Sequence, residues 1–290
     1  MTVGLPGQVG WTPSELELGR RAYRRSRGRR STLVALISTL AFAALAYFTV
    51  TNSPGWPRVQ ATFFSLEVAK DSFPKILEGL WLNVQVLVVG GFLVLVFGLA
   101  IAVLRTLRGP VFAPLRILGT VYVDIFRGVP LIITLYLVGF GFPALGLQGV
   151  PTSPFILGTA AIVLTYSAYV AEVFRAGIES VHPSQRAAAR SLGLTHRQSM
   201  RIVVLPQALR TVTPALLNDF VALQKDVGLI SVLGAVDAVR QAQILTGQSF
   251  NFTPYVVAGL LFVLLAVPSA RLADYVSARA RRRQQAGGLL

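Results

Sequence analysis

Three ionisable side chains, Asp219, Lys225 and Asp226, fall in an otherwise apolar stretch, residues 207–234. Two further pairs, Asp124 with Arg127 and Glu172 with Arg175, sit at i,i+3 spacing in other apolar stretches. Such groups either pair on one helix face or hold a charged solute, a cation or a proton in a polar cavity. In hydrocarbon each costs about 2.5–3.5 kcal/mol at a helix centre. The three in 207–234 therefore cost about 8–10 kcal/mol, against about 3–7 kcal/mol returned by roughly eleven Val, Leu, Ile and Phe. That stretch should avoid lipid. Pro214 and Gly228 also weaken its helix, and irregular backbone at membrane depth is tolerated where it is buried in protein or lines a wet cavity. Residues 210–234 are expected to line a pathway, with LQKDVGLISVLG as the functional core; an ion-paired helix in an inert bundle is the alternative. For Asp124/Arg127 and Glu172/Arg175, structural ion pairs are the first expectation.

Catalytic chemistry has little to work with. Cysteine is absent, and His182 and His196 are the only imidazoles. There is no H-E-x-x-H metal helix and no G-x-S-x-G elbow. None of Lys70, Lys75 and Lys225 follows a glycine, so no Walker A phosphate cradle exists. The chain is expected to be neither an enzyme nor a binder of metal or ATP.

The elements that must position these residues follow from composition. With 53% hydrophobic and 13% charged residues and a mean hydropathy of +0.62, this is an all-α, polytopic membrane protein by pattern. Apolar runs predict six transmembrane helices at 33–51, 76–104, 112–140, 154–178, 207–234 and 254–278. Lys and Arg concentrate in the tail 1–32, the turn RTLRGPVFAPLR, the segment around 184–201 and the tail 279–290. Positive loops resist translocation, which puts both termini and residues 182–206 in the cytoplasm. The formal charge of +15 thus reports loops facing anionic lipid, not a nucleic-acid partner. A basic start before an apolar run also describes a cleaved leader. The run at 33–51 is long for one and no small-x-small site follows, so a retained helix is expected, followed by an extracytoplasmic segment at 52–75.

Between the fourth and fifth spans lies SQRAAARSLGLTHRQSMRIVVLP, residues 184–206. His182 or Ser184 suits a helix start with Pro183, and Gly193 suits the left-handed residue that ends it. Thr195 and Gln198 form a capping box for a second helix that runs into the fifth span and bends near Pro206. Ala188, Ala189 and Leu192 make a small face that another protein could approach, flanked by Arg186 and Arg190.

Ala188-Ala189, Gly193, Val203, Leu205 and Pro206 have the spacing of the EAA loop of ATP-binding cassette (ABC) importer permeases, which this segment resembles. The position of that motif's glutamate is Ala187 here. GLWLNVQVLVVGGFLVLVFGLAIAVLR at 79–105, YVDIFRGVPLIITLYLVGFG at 122–141, YSAYVAEVFRAGIESVHPSQ at 166–185 and LQKDVGLISVLGAVDAVRQAQ at 223–243 are similar to blocks of the polar amino acid branch. The resemblance implies a five-helix type I permease core over 76–278, with 33–51 as an added helix in a bacterial cytoplasmic membrane. It implies two ATPase subunits that use the ATP, a second permease chain, identical or paralogous, and an extracytoplasmic binding protein. Coupling to the ATPase would fall to Arg186, Ala188, Ala189, Gly193, Leu205 and Pro206. An amino acid presents both charges, so Asp226 is the first expected pathway residue, with Lys225, Asp219, Glu172 and Gly228 beside it and Asp124/Arg127 as a structural or pathway pair. An ion-coupled secondary carrier, with Glu172 or Asp226 holding the ion, is the rival reading.

Overall fold

A computed structural model describes residues 14–107, 109–149 and 151–287, and these contain helices and no strand. The chain divides into two compact units, 1–60 and 61–290. The first holds α1 (Glu15–Thr51), opened by the Ser14 hydroxyl, which accepts from the Glu17 N–H at 3.3 Å. Its residues Arg30–Thr51 are long and apolar enough to cross a membrane. A short α2 (Trp56–Phe63) leads into the second unit.

There, α3 (Leu66–Thr106) starts ten residues before the expected boundary at 76. Ser65 caps it through the Val68 N–H at 3.4 Å, and Glu67 sits in the first turn where the helix dipole favours an acid. Hydropathy alone missed this turn because Glu67, Lys70 and Asp71 make it polar. The expected span 112–140 is two helices, α4 (Ala113–Gly128) and α5 (Leu131–Ala144), meeting at 107°. Pro130 causes the break: it has no N–H to donate and forces Val129 into extended backbone (φ −92°, ψ 128°).

Next comes α6 (Pro154–Ser180), the most enclosed of the apolar helices, packed against α3, α4 and α5. The elbow consists of α7 (Pro183–Ser191), α8 (His196–Ser199) and a π turn (Met200–Val204). Then α9 (Leu205–Asp226) continues as a tight 3₁₀ turn (Val227–Leu233), which Gly234 ends at φ 86°. Finally, α10 (Ala238–Ser249) and α11 (Thr253–Gly287) pack on each other and on α3.

Four described helical stretches are long and apolar enough to span, or five if the α4–α5 pair is one crossing, so the count of six is not reached by this measure. The missing one is α9, whose Arg210, Asp219, Lys225 and Asp226 lower its hydropathy. It is nevertheless packed against α6 and α11. One apolar core joins α3, α4, α5, α6 and α9 through Val94, Val123, Leu135, Ile162, Val170 and Val212. A smaller one joins α3, α10 and α11 around Ile76, Ala242 and Leu261.

Candidate functional site

The elbow is built by local chemistry. His182 caps α7, its Nδ1 accepting from the Ser184 N–H at 3.2 Å. At the other end the Leu194 N–H reaches the Ala189 carbonyl (3.2 Å) and the Gly193 N–H reaches that of Arg190 (2.9 Å), a Schellman stop with Gly193 at φ 78°. A Cβ on Gly193 would meet nothing within 4 Å, so its requirement is backbone conformation, not space. The capping box is present in both directions: the Gln198 N–H donates to the Thr195 hydroxyl (3.3 Å) and the Thr195 N–H to the Gln198 side chain (2.9 Å).

From His196 the helix runs through the π turn into α9 without a loop. Pro206 accounts for the π turn. It offers no N–H and its ring crowds the carbonyl four residues earlier, so the turn before it widens and the Leu205 N–H bonds back to the Met200 carbonyl.

The small face expected on α7 is split. Ala189 is buried, whereas Ala188, Leu192 and Gly193 are exposed. Arg186 is not free on the flank: its guanidinium donates to the Ile178 carbonyl at the end of α6. Arg190 is exposed, Leu205 half-buried and Pro206 exposed.

On α9 the three ionisable groups have different surroundings. The Tyr166 hydroxyl on α6 donates to Asp226 Oδ2 at 2.7 Å. Asp219 lines a cavity of about 510 Å³ between α3, α6 and α9, whose wall includes Tyr166, Phe92, Leu216 and Phe220. Its Oδ2 is buried and lacks a hydrogen-bond partner. Tyr166 thus shares the cavity wall with Asp219 and bonds to Asp226. Lys225 is exposed and does not line this cavity. Gly228 is buried, and a Cβ there would come within 3.2 Å of Phe262 and of Val239.

The other charged pairs lie elsewhere. Glu172 belongs to a network at the far ends of α3 and α6: Arg105 Nη1 donates to it at 2.8 Å, Arg175 Nε at 3.2 Å, and Arg175 also reaches Glu179 at 2.6 Å. No ion pair joins Asp124 to Arg127, both exposed; the Arg127 guanidinium lies 5.8 Å from the centre of the Tyr169 ring.

Sequence reasoning missed a second polar centre. Asn83 on α3 is fully buried and makes three bonds, donating to the Val227 carbonyl (3.2 Å) and Asp237 Oδ2 (2.8 Å) and accepting from the Ala238 N–H (3.1 Å). Asp237, equally buried, caps α10 through the Arg240 N–H at 2.8 Å. Burial pushes its carboxyl up to about 6, against the lowering effect of the Asn83 amide and nearby backbone N–H groups. Gly79 makes room for this crossing: a Cβ there would lie 2.5 Å from the Asp237 carbonyl carbon. Asn83 therefore ties the end of α9 to α3. The signal was an amide four residues after a glycine inside an apolar run, which hydropathy averages away.

Comparison with known proteins agrees with this geometry. Residues 94–282 match the family described as binding-protein-dependent transport system inner membrane component. The chain is 34% identical to a probable glutamine ABC transporter permease protein, GlnM, of Bacillus subtilis (strain 168), covering 74% of this chain and 97% of that one. It is 32% identical to that organism's arginine transport system permease protein ArtQ, over 67% and 87%. Among solved structures, an amino acid ABC transporter with histidines matches at 33% identity and a TM-score of 0.64, covering 72% of this chain and 94% of that one. The MetNI methionine ABC transporter, in an inward-facing conformation, matches at 26% identity and 0.54, over 71% and 96%. Nothing among these favours an ion-coupled carrier. A helix too polar for lipid continues from an arginine-rich elbow, in a chain that importer permeases match over most of its length, and the chain belongs to the binding-protein-dependent (ABC) transport family as a multi-pass inner-membrane permease subunit.

Proposed function

We propose that this permease carries a polar amino acid inward, driven by two ATPase subunits that grip the α7–α8 elbow, in a complex with a second permease chain and an extracytoplasmic binding protein. The termini and the elbow face the cytoplasm, in keeping with the arginine distribution. One observation carries the reading: from His196 to Asp226 the backbone runs through α8, the π turn and α9 without a loop, so a displacement of α8, to which α7 is joined by the capped turn at Gly193–Thr195, reaches Asp219 and Asp226. Asp226 and Asp219 would meet the ammonium of the solute, with Tyr166 setting the orientation of Asp226. Leu192 and Ala188, exposed at the tip, and Arg190 beside them would enter the ATPase groove; the missing glutamate at Ala187 removes one acidic contact there.

The test is reconstitution of the co-purified complex. Uptake of amino acid should be vanadate-sensitive, and the bound subunits should include an ATPase and an amino acid-binding protein. Gly193→Val puts a β-branched residue in the left-handed region at a cost of about 1–2 kcal/mol, loosening the stop that holds the elbow's shape. ATP hydrolysis should continue while uptake falls, whereas Gly193→Asn, which tolerates that region, should keep most coupling. Equal coupling in Gly193→Val and the parent would refute the lever.

A further inference from the structure

A groove of about 700 Å³ opens where α3 and α6 end and the elbow begins. Its inner wall is apolar: Val103 and Leu107 at the end of α3, Phe112, Ile178 on the last turn of α6, Met200 and Leu205. Val103 lies within the apolar stretch that closes at Thr106, and Ile178 within the one that closes at Ser180, so the groove's apolar wall is built from the last turns of two stretches long and apolar enough to cross a membrane. At its outer end stand Arg197 and Arg201, with His196 beside them. These two arginines are at i,i+4 spacing on the elbow helix, both exposed, and among the described residues neither guanidinium has a hydrogen-bond or ion-pair partner.

Nearby cations show what a satisfied one looks like here. Arg116 donates to the carbonyls of Leu107 and Gly109 at 2.9 and 2.8 Å, and Arg186 donates to that of Ile178. Arg105 and Arg175 are paired with Glu172. The carbonyls of Leu107 and Ile178 on this rim thus already accept from other arginines, and no carboxylate lines the groove. Two like charges side by side on one helix face repel each other and are relieved by an anion held between them. The volume is in the range of about 300–1,000 Å³ typical of small-molecule sites.

We propose that this groove holds one anionic phospholipid, its acyl chain along Val103, Ile178, Met200 and Leu205 and its phosphate on Arg197 and Arg201. The lipid sits on the elbow helix itself, between the segment that receives the ATPase push and α9. Its occupancy therefore stiffens the lever, and transport depends on anionic lipid. A free phosphate would satisfy the arginines but would leave the apolar wall in water; a zwitterionic lipid would fill the wall but offer the arginines no net charge.

The experiment is native mass spectrometry of the purified permease–ATPase complex in mild detergent, with dioleoylphosphatidylglycerol or dioleoylphosphatidylcholine added at equal concentration. The parent should retain one phosphatidylglycerol per permease chain and far less phosphatidylcholine. R197Q/R201Q should bind it about fivefold more weakly for each arginine removed. R197K/R201K, which keeps the charge, should retain most of it. R271Q/R279Q, which removes the same charge from α11, should bind as the parent does. Glycerol 3-phosphate at the same concentration should not compete. Equal retention by R197Q/R201Q and the parent, or equal retention of the two lipids, would overturn the proposal. So would loss of ATPase from R197Q/R201Q with phosphatidylglycerol unchanged, which would assign the face to the partner. The readout is bound lipid, so it stands or falls independently of which solute the complex carries.

Discussion

Replacing Asn83 by Ala should be among the most damaging single changes in the chain, although Asn83 touches neither the elbow nor the cavity. The substitution deletes the donor to the Val227 carbonyl, the donor to Asp237 Oδ2 and the acceptor of the Ala238 N–H, at 3.2, 2.8 and 3.1 Å. All three lie where water does not reach: Asn83, Val227, Asp237 and Ala238 are each fully buried. An orphaned buried group costs about 1–3 kcal/mol, so three together cost about 3–9 kcal/mol, offset in part if water enters the vacated space. That is comparable to a large share of the roughly 5–15 kcal/mol that holds a domain folded. Asp237→Ala leaves one Asn83 N–H unpaired and removes the α10 cap, about 1 kcal/mol for the cap and about 1–3 kcal/mol for the N–H. Because the two single variants each orphan what the other supplies, the double variant should cost less than their sum by about 1–3 kcal/mol. The assay is reversible unfolding of the purified permease in mixed micelles, followed by tryptophan fluorescence, with uptake measured in parallel. Costs that add to within about 0.5 kcal/mol would show that the residues do not share one network, and the account of how α9 is anchored would fail.

Tyr166→Phe should lower uptake several-fold while leaving the permease folded, since it removes only the donor to Asp226; Asp226→Ala should lower it further, and unchanged uptake in proteoliposomes for both would remove this pair from the pathway. Gly177→Ala should loosen the contact between α6 and α9, because a Cβ there would collide with Val212 Cγ1 and lie 3.3 Å from the Ala208 carbonyl oxygen. Overpacking of that kind costs about 1–3 kcal/mol, and the companion change Val212→Ala should recover much of it in the same unfolding assay. Asp237 sets a pH dependence whose sign is fixed: its folded carboxyl titrates at about 6, against an ordinary value of 3.8. Its contribution is therefore full below about 4 and is lost as the pH rises through about 6. Asp237→Asn should abolish that decline, seen as a flatter unfolding midpoint between pH 4 and 7.

What could be read from the residues alone divides along physical lines. Features set by local backbone chemistry were legible: the Schellman stop at Gly193 and the Thr195–Gln198 box depend on neighbours within a few residues, and the structure has both, while at the bend expected near Pro206 it has a π turn. So was the polar character of α9, because the cost of ions in hydrocarbon does not depend on which helix lies alongside. The span count suffered where composition and backbone disagree. A continuous apolar run at 112–140 hides a 107° break, since hydropathy weighs Pro130 as a side chain and ignores the N–H it lacks. Partners of charged groups were the least legible. Spacing correctly joins Glu172 to Arg175 but also suggests Asp124 with Arg127, which do not pair, and it cannot find Arg105, which reaches Glu172 from 67 positions away.

The same limit explains why the anchor escaped notice while the lever did not. An elbow advertises itself by a dense cluster of caps, glycine and proline between His182 and Pro206. Asn83 and Asp237 are 154 positions apart, and each alone is an ordinary residue: an amide in an apolar helix, an acid before a short one. Only their meeting at Gly79, where no side chain intervenes, turns them into a fixed point. A rod pushed at one end moves its middle only if the other end is held, and the residues that hold it must come from a different helix. In the proposed lever the end to be pushed is written locally, at 184–206, whereas the held end is written across the fold. Local signals therefore disclose where the proposed force would enter, and the folded structure is needed to show what it would be applied against.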